Sequence, residues 1–371
     1  MINQQQLKNF DIPLLLLTLA ITAVGVVMLF SATHFFEHMG DVFYFVKRQS
    51  MWLFMGIGSV IVICLLDYAN FYYWSRYIYF LAFVLLVLVL FIGRGSAQAP
   101  EILRWISLGF IDIQPSEYAK LALIIMLSKY LSDRQKYLEN FWELVPAFLY
   151  TGLFMGLIFL QPDLGTSLVF GAILMGCFIA AGVKARHLWG IIGAGIAAFP
   201  VLWQFLGDGQ KYRLLVFIDR GYDPLGAGYQ LLQSIIAVGS GGPWGRGLLE
   251  GPQVQGGFVP EHHTDFIFSV LAEELGFAGS AGLLVLFFLL IYRILWIGGQ
   301  SKDTFGMFIC CGVAVMLAFQ VIVNVGMTIG IMPITGLPLP FLSYGGNALL
   351  VNFLSIGLVL NVGMRRQKIQ F

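Results

Sequence analysis

The sequence of 371 residues has little charge and almost no charge imbalance. Asp, Glu, Lys and Arg make up 11% of it, and 21 basic residues against 20 acidic ones leave a formal net charge of +1. Nucleic-acid-binding proteins normally show a basic patch or stripe, so this balance gives no reason to expect that class. The chain also shows no internal repeat, no low-complexity segment and no stretch that resembles a soluble domain.

Cysteine is scarce, and its positions exclude the usual cysteine sites. Cys64, Cys177, Cys310 and Cys311 lie inside apolar runs, without the spacing of a zinc site or the loop context of a disulfide framework. We expect them to behave as small buried hydrophobic residues.

Apolar residues are abundant: 58% of the chain is hydrophobic and 15% is aromatic. One helical crossing of a membrane needs about 20 apolar residues. On this basis ten spans are predicted, at 13–31, 51–66, 77–92, 118–131, 144–160, 164–182, 188–205, 266–296, 305–331 and 347–362. The sequence therefore predicts an all-α polytopic membrane protein. We expect one membrane domain over residues 1–371, with a large ordered extracytoplasmic loop of about 206–264 between spans 7 and 8.

Lysine and arginine in short loops set the orientation of such a chain. The side of the termini holds Lys8, Arg76, Lys129, Arg134, Lys136, Lys184, Arg186, Lys302, Arg365, Arg366 and Lys368. The short loops of the other side hold mainly Lys47, Arg48, Arg94 and Arg104. We therefore expect both termini in the cytoplasm and the loop of about 206–264 outside. A loop of this length in a compact chain is usually functional or disordered, and its apolar content favours order.

The stretch PEHHTDFIFSVLAEEL, residues 260–275, concentrates ionisable side chains where a loop enters an apolar helix: Glu261, His262, His263, Asp265, Glu273 and Glu274. Ionisable groups in such places are functional candidates. We expect Thr264 to cap the helix and Asp265 to lie in its first turn, at the outer mouth of the bundle. A first-turn carboxylate can be present only for the helix dipole, which is worth about 0.3–1 kcal/mol. The neighbouring side chains favour a second role for Asp265, as a general base toward an alcohol.

The other acids and the histidines of this stretch are assigned structural or tuning roles, with Glu261 as a possible helper of Asp265. One of Glu273 and Glu274 should face the bundle interior and pair with a cation there, since a carboxylate facing lipid is costly. Adjacent histidines point to different sides of a helix, so a shared metal ion is not favoured. A magnesium ion held by carboxylates and substrate phosphates fits better than a protein cage.

Two short motifs lie at other predicted outer helix mouths. In QPSEYAK, Glu117 and Lys120 can pair on one helix face. Two interpretations stay open: a local ion pair, or a pocket in which Lys120, Arg104 and Arg213 bind an anionic headgroup such as a diphosphate. In QPDLGTS, Asp163 is predicted to cap the sixth span.

The segment GIMPITGLPLPFLSYGG, residues 330–346, is rich in proline and glycine. Irregular backbone at membrane depth occurs only where protein buries it or it lines a cavity, so we expect part of a cavity wall here. A broken helix would also suit a transporter.

These blocks, together with DPLGAGYQLLQSIIAVGSGG, resemble the signature motifs of the SEDS family (shape, elongation, division and sporulation). They occur in the family's order along nearly the whole chain, and the wording of the outer loop is most similar to the elongation branch. The resemblance implies a peptidoglycan glycosyltransferase that polymerises lipid II at the outer face of the cytoplasmic (inner) membrane. It also implies a class B penicillin-binding protein, a transpeptidase, as partner within the Rod complex (elongasome) that maintains rod shape.

The same resemblance implies roles for individual residues. It assigns catalysis to Asp265, and the family's Glu and Lys of the QPSE block match Glu117 and Lys120. The family's Arg-Trp pair before that block matches Arg104 and Trp105. No organic cofactor is implied, because the lipid diphosphate is itself the activated donor, and a divalent cation, magnesium or manganese, is an expectation.

Two rival functions fit the same span pattern. A lipid II flippase would need the cavity and the broken helices but no base at the outer face. A scaffold without catalysis would bind the transpeptidase and leave lipid II unpolymerised. The outer position of the acidic cluster favours the enzyme over both.

Overall fold

The computed structural model describes residues 4–34, 41–95, 102–107, 109, 111–135, 138, 140–219 and 221–366. Over these residues the chain is mainly helical. Two short strands, β1 (Ile106–Ser107) and β2 (Asp112–Ile113), pair antiparallel. The helices are α1 (Gln4–Lys8), α2 (Ile12–Thr33), α3 (Tyr44–Leu65), α4 (Tyr68–Ile92), α5 (Pro115–Arg134), α6 (Val145–Phe159), α7 (Leu164–Ala180), α8 (Ala185–Phe205), α9 (Asp208–Ile218), α10 (Ala227–Ser240), α11 (Pro252–Gln255), α12 (Ile267–Gly299), α13 (Thr304–Thr328) and α14 (Gly346–Met364).

Each of the ten predicted spans coincides with a helix. Within the described ranges, eight helices are long and apolar enough to cross a membrane: α2, α3, α4, α6 with the 3-10 turn before it, α8, α12, α13 and α14. The remaining two spans are α7, which is apolar but has only 17 residues, and α5, which carries five charged side chains. The chain is a multi-pass membrane protein, and the count of ten crossings stays a prediction.

The bundle is built around α13 and α14. In these two helices 67% and 83% of the apolar window is buried, whereas α8 has no buried residue and lies at the periphery. Close approach to the central helices depends on glycine: a Cβ at Gly357 of α14 would lie 3.1 Å from the Cα of Val60 on α3. Small residues at such crossings let helix backbones pack in lipid, where no hydrophobic force brings helices together.

The predicted ordered loop is confirmed, because residues 206–264 form α9, α10 and α11. Its backbone also enters a break in α12 at Gly276, where φ is +65°. There the amide of Arg246 donates to the carbonyl of Glu273 (3.0 Å), and the amide of Phe277 donates to the carbonyl of Gly242 (2.8 Å). The loop thus supplies partners for backbone groups that the broken helix cannot pair internally.

The loops predicted to lie outside meet at one end of the bundle. Asn347 at the start of α14 donates to the carbonyl of Asp112 (2.8 Å), and the amide of Tyr344 donates to the carbonyl of His263 (3.0 Å). At the opposite end, Arg366 lies 4.0 Å from Asp11, so both ends of the described chain share a side. This agrees with an even number of crossings, and the assignment of that side to the cytoplasm stays a prediction.

Two of the basic residues that support the orientation, Lys136 and Lys368, lie outside the described residues.

Candidate active site

Asp265 lies in a turn, not in the first turn of a helix, because α12 begins only at Ile267 with Phe266 at its cap position. The prediction that Thr264 caps the helix is therefore wrong. Its hydroxyl donates instead to the carboxylate (3.0 Å) and the carbonyl (3.2 Å) of Glu261. Glu261 has a φ of +52°, and its carbonyl also accepts from the amides of Thr264 and Phe266. These bonds close a turn over residues 261–266, so that α12 begins after Asp265 and Asp265 has an irregular backbone conformation.

The Asp265 carboxylate is half-buried, and within the described residues no hydrogen bond or ion pair satisfies it. Burial raises the pKa of Asp265 from an ordinary value of 3.8 to about 6. The charge of Arg213 opposes that rise, while the nearby carboxylates of Glu261 and Asp163 add to it. A carboxyl group with a pKa near 6 is ionised at neutral pH and still basic enough to accept a proton from a reacting hydroxyl.

Gly336 lies next to the carboxylate of Asp265. A Cβ built on Gly336 would lie 3.3 Å from Oδ2 of Asp265 and 3.4 Å from Nη1 of Arg213. The carboxylate and the exposed guanidinium therefore face the same small gap, and the glycine leaves it unfilled. Gly336 has a φ of +71° and belongs to the irregular segment that the sequence predicts as cavity wall.

That segment is hydrogen-bonded directly to the turn of Asp265. The hydroxyl of Ser343 donates to the carbonyl of Thr264 (2.6 Å), next to the bond between Tyr344 and His263. The side-chain amide of Gln49 on α3 donates to the carbonyl of Ser343 (3.1 Å). The turn of Asp265 is thus bonded to the segment 330–346, and that segment is bonded in turn to α3.

The two histidines pack inside the site. Both ring nitrogens of His262 lie against carbonyl oxygens, Nδ1 2.6 Å from Val259 and Nε2 2.8 Å from Ala32. The ring of His263 packs against that of Phe45, with centroids 5.1 Å apart. Burial lowers the pKa of both histidines, that of His263 to about 4. These contacts favour the structural role that the sequence suggests for them.

Arg104 holds the QPD turn in place. Its Nε donates to the carbonyl of Gln161 (3.0 Å) and its Nη2 to that of Pro162 (2.6 Å), while Nη1 lies 3.9 Å from Asp163. Asp163 accepts from the amide of Thr166 (3.1 Å), so the predicted cap of α7 is confirmed. Most of the Arg104 guanidinium is committed to this turn, and its charge acts on Asp265 from a distance.

Trp105 lies beside Arg104 and is held by its backbone. Its carbonyl accepts from the amide of Arg94 (2.7 Å), and the two residues form an isolated antiparallel bridge. The substrate-binding role predicted for Trp105 stays a prediction.

Glu117 and Lys120 form the ion pair that their spacing predicts. Lys120 Nζ lies 2.8 Å from the Glu117 carboxylate, and the two side chains are only 1% and 4% exposed. The local pair is therefore present, and Lys120 would have to leave Glu117 in order to reach a headgroup.

Glu273 faces the interior as predicted, but the expected cation partner is wrong. Its carboxylate accepts from the amides of Gln253 (2.9 Å) and Val254 (3.0 Å) and from the hydroxyl of Ser240 (3.2 Å). The first amides of a helix have no partner inside it, so those of α11 are available to donate hydrogen bonds to the carboxylate of Glu273. Glu274 accepts from the hydroxyl of Ser31 (2.5 Å).

No group of three or more His, Cys, Asp or Glu side chains could hold a metal ion in the part of the chain that the structure describes. The divalent cation stays a prediction.

One residue that contacts the site was missed from the sequence. Asn324 lies about one turn before the end of α13, within the ninth predicted span, and its side-chain amide donates to the carbonyl of Asp265. The available signal was a polar amide within an otherwise apolar run.

Comparisons with known proteins cover almost the whole chain. The model of the FtsW, RodA and SpoVE family, described as cell cycle proteins, matches residues 12–368. The chain is 38% identical over 370 residues to the peptidoglycan glycosyltransferase MrdB of Escherichia coli (strain K12), covering 97% of this chain and 95% of the relative. It is 37% identical over 363 residues to a probable peptidoglycan glycosyltransferase FtsW of Trichlorobacter lovleyi, covering 96% and 94%.

Among solved structures, a chain of a peptidoglycan synthase complex that coordinates polymerization and crosslinking is similar along its whole length. The TM-score is 0.82 and the identity 36%, and the match covers 97% of this chain and 99% of that one.

Proposed function

Because this chain belongs to the SEDS family of FtsW, RodA and SpoVE proteins, we propose that it is a peptidoglycan glycosyltransferase that polymerises lipid II into glycan strands. Relatives that match it over nearly their full length are named for that activity. No cofactor-binding domain is required, since the lipid diphosphate already activates the donor sugar.

One observation carries the proposal. The carboxylate of Asp265, with its pKa raised to about 6, and the guanidinium of Arg213 face the same gap above Gly336. A base and a cation at one gap suit a reaction in which a hydroxyl loses a proton while an anionic group departs.

In the proposed step, Asp265 accepts the proton of the 4-hydroxyl on the acceptor's N-acetylglucosamine. The freed oxygen forms a bond to the anomeric carbon of the donor strand. The bond from that carbon to the diphosphate oxygen breaks, and undecaprenyl diphosphate leaves with the electron pair. The proton remains on Asp265 until the next exchange with water.

Arg213 is the cation best placed to stabilise the departing diphosphate. It is exposed on α9, whereas Arg104 is held by three oxygen atoms and Lys120 by Glu117. Preorganised donors of this kind are worth about 10²–10³ in rate for one contact in other enzymes. A bound magnesium or manganese ion would supply further positive charge to stabilise the departing diphosphate.

We further propose that the Asp265 end of the bundle faces outward, with both termini in the cytoplasm. The short-loop lysine and arginine bias supports this orientation. The similar solved chain belongs to a complex that coordinates polymerization and crosslinking, which supports a transpeptidase of the class B penicillin-binding type as partner. The amino-acid sequence of the loop motifs supports the elongation (RodA) branch of the family and a role in maintaining rod shape.

The test is incubation of the purified protein with fluorescent lipid II, in parallel with a headgroup translocation assay in proteoliposomes. We expect glycan polymer, with more polymer when the transpeptidase is present. A flippase would translocate headgroups and make no glycan, and a scaffold would do neither while still binding the transpeptidase. Either outcome overturns the proposal.

A further inference from the structure

A single buried amide connects the two sides of the catalytic gap. Asn324 on α13 is fully buried, and its Nδ2 donates to the carbonyl of Asp265 (2.8 Å) and to the carbonyl of Leu337 (2.7 Å). Asp265 carries the unsatisfied carboxylate, and Leu337 directly follows Gly336, which faces that carboxylate. One side chain therefore sets the position of the base relative to the wall opposite it.

The chemistry of the contact fixes the orientation of this amide. Both partners are carbonyl oxygens, so only the NH₂ group can bond to both, and a flipped amide would bring oxygen against oxygen. The other end of the amide, Oδ1, accepts no hydrogen bond from any described residue. A buried acceptor without a partner costs about 1–3 kcal/mol. This cost offsets the stability that the two donated bonds contribute. A gain in stability therefore does not explain why an asparagine is buried here.

We propose that Asn324 is a positioning residue for catalysis, which holds the Asp265 turn at the correct distance from the Gly336 wall. The inference rests on the proposed role of Asp265 as base. Asn324 itself does not touch the reacting atoms, and it acts through the backbone of the residue that does. Misplacement of a catalytic group by about 1 Å can cost on the order of 10²-fold in rate, so two hydrogen bonds at this point have a large effect on turnover.

Two substitutions test the proposal because they remove different numbers of the bonds that Asn324 donates. Asn324→Ala removes both bonds and lets water reach the turn, which lowers the pKa of a carboxyl that burial had raised. Asn324→Asp keeps the volume, but its buried carboxyl faces two carbonyl oxygens and stays protonated, so it can donate only one of the two bonds. The charged groups already acting on Asp265 are Arg213, Glu261, Asp163 and Arg104, and neither substitution alters them.

We expect kcat for lipid II polymerisation to fall about 10–100-fold in both variants, with a smaller change in KM. The midpoint of the acidic limb of the pH–rate profile should move down in Asn324→Ala, where water reaches the turn, and stay near that of the parent protein in Asn324→Asp. Rates are normalised to the folded fraction from size-exclusion chromatography in detergent, and the nearly isosteric Asp variant guards against loss of folding in the Ala variant.

Asn361 on α14 provides a matched control. It is also fully buried, and its Nδ2 donates to two carbonyls, those of Ile63 (2.5 Å) and Leu66 (3.0 Å), at the opposite end of the bundle. Asn361→Ala should lower thermal stability and leave kcat per folded protein and the pH midpoint unchanged.

If the Asn324 variants behave like Asn361→Ala, the positioning role is wrong. If the parent protein makes no polymer, the proposed function fails instead. If the protein makes polymer without Asp265, the role of Asp265 as base fails, and the inference about Asn324 fails with it.

Discussion

Asp265 and Glu273 are two acids of one short stretch, and the structure treats them in opposite ways. Glu273 is fully buried and accepts three hydrogen bonds from the outer loop. Asp265 accepts none from the described residues, and burial raises its pKa to about 6. The difference separates a carboxylate that is bonded to the outer loop from one that, under the proposed function, is available to act as a base. A carboxylate whose oxygens already accept several hydrogen bonds has fewer lone pairs left for a substrate hydroxyl.

The largest effect on stability should come from replacing the carboxylate of Glu273 with an amide. In Glu273→Gln the NH₂ group replaces one carboxylate oxygen and faces the amide of either Gln253 or Val254, while the other amide keeps an oxygen acceptor that is no longer charged. We expect the free energy of unfolding to fall by about 2–4 kcal/mol. Thermal unfolding in detergent measures this, and an unchanged melting temperature would show that the three contacts do not hold the loop.

A methyl group in the catalytic gap should reduce turnover without unfolding the protein. Gly336→Ala would place a Cβ 3.3 Å from Asp265 and 3.4 Å from Arg213, where the acceptor hydroxyl must enter. We expect polymerisation to fall by about 10²-fold, comparable to a small misplacement of reacting groups.

The control for this variant is Gly182→Ala. Gly182 has a similar φ of +75° and no atom within 4 Å of an added Cβ. Its substitution carries the same backbone strain of about 1–2 kcal/mol outside the site and should leave turnover intact. Equal losses in the two variants would assign the effect to strain and not to the gap.

The pH dependence of turnover should follow Asp265. The base works when it is ionised, so the rate should rise about tenfold per pH unit below pH 6 and level off above it. His263, with its pKa lowered to about 4, does not titrate between pH 5 and 8. Initial rates of polymer formation across this range measure the midpoint, and a flat profile from pH 5 to 8 would contradict a base with a raised pKa.

The sequence indicates which charged residues belong to the candidate site, but it does not show which groups they contact in the folded protein. Asp265 and Arg213 stand out because charge is rare in the chain, and the Glu117–Lys120 pair follows from i, i+3 spacing on a helix. Local patterns could not show that Glu261 would close a turn before α12, so the predicted cap at Thr264 failed. The partners of Glu273 and Asn324 come from distant segments, and one sequence does not reveal which backbone groups tertiary packing brings to them.

The smallest predicted effect is a gain in the free energy of unfolding when the carboxylate of Asp265 is replaced by a neutral amide. The folded protein holds the Asp265 proton more tightly than the unfolded chain, so this group makes the fold less stable as pH rises from 3.8 to about 6. The shift corresponds to roughly 3 kcal/mol at most, and screening at a half-buried site reduces it. Asp265→Asn should therefore be more stable than the parent at pH 7 by about 1–2 kcal/mol, as measured by thermal unfolding. A clear loss of stability would show that the carboxylate has a structural partner.

The central claim is that Asp265 is the base of the polymerase, and turnover of fluorescent lipid II by purified Asp265→Asn protein tests it most directly. The account predicts a loss of polymer of about 10²–10⁴-fold, in a variant that elutes and melts as a folded protein. Full polymerisation by the folded Asp265→Asn variant would contradict it.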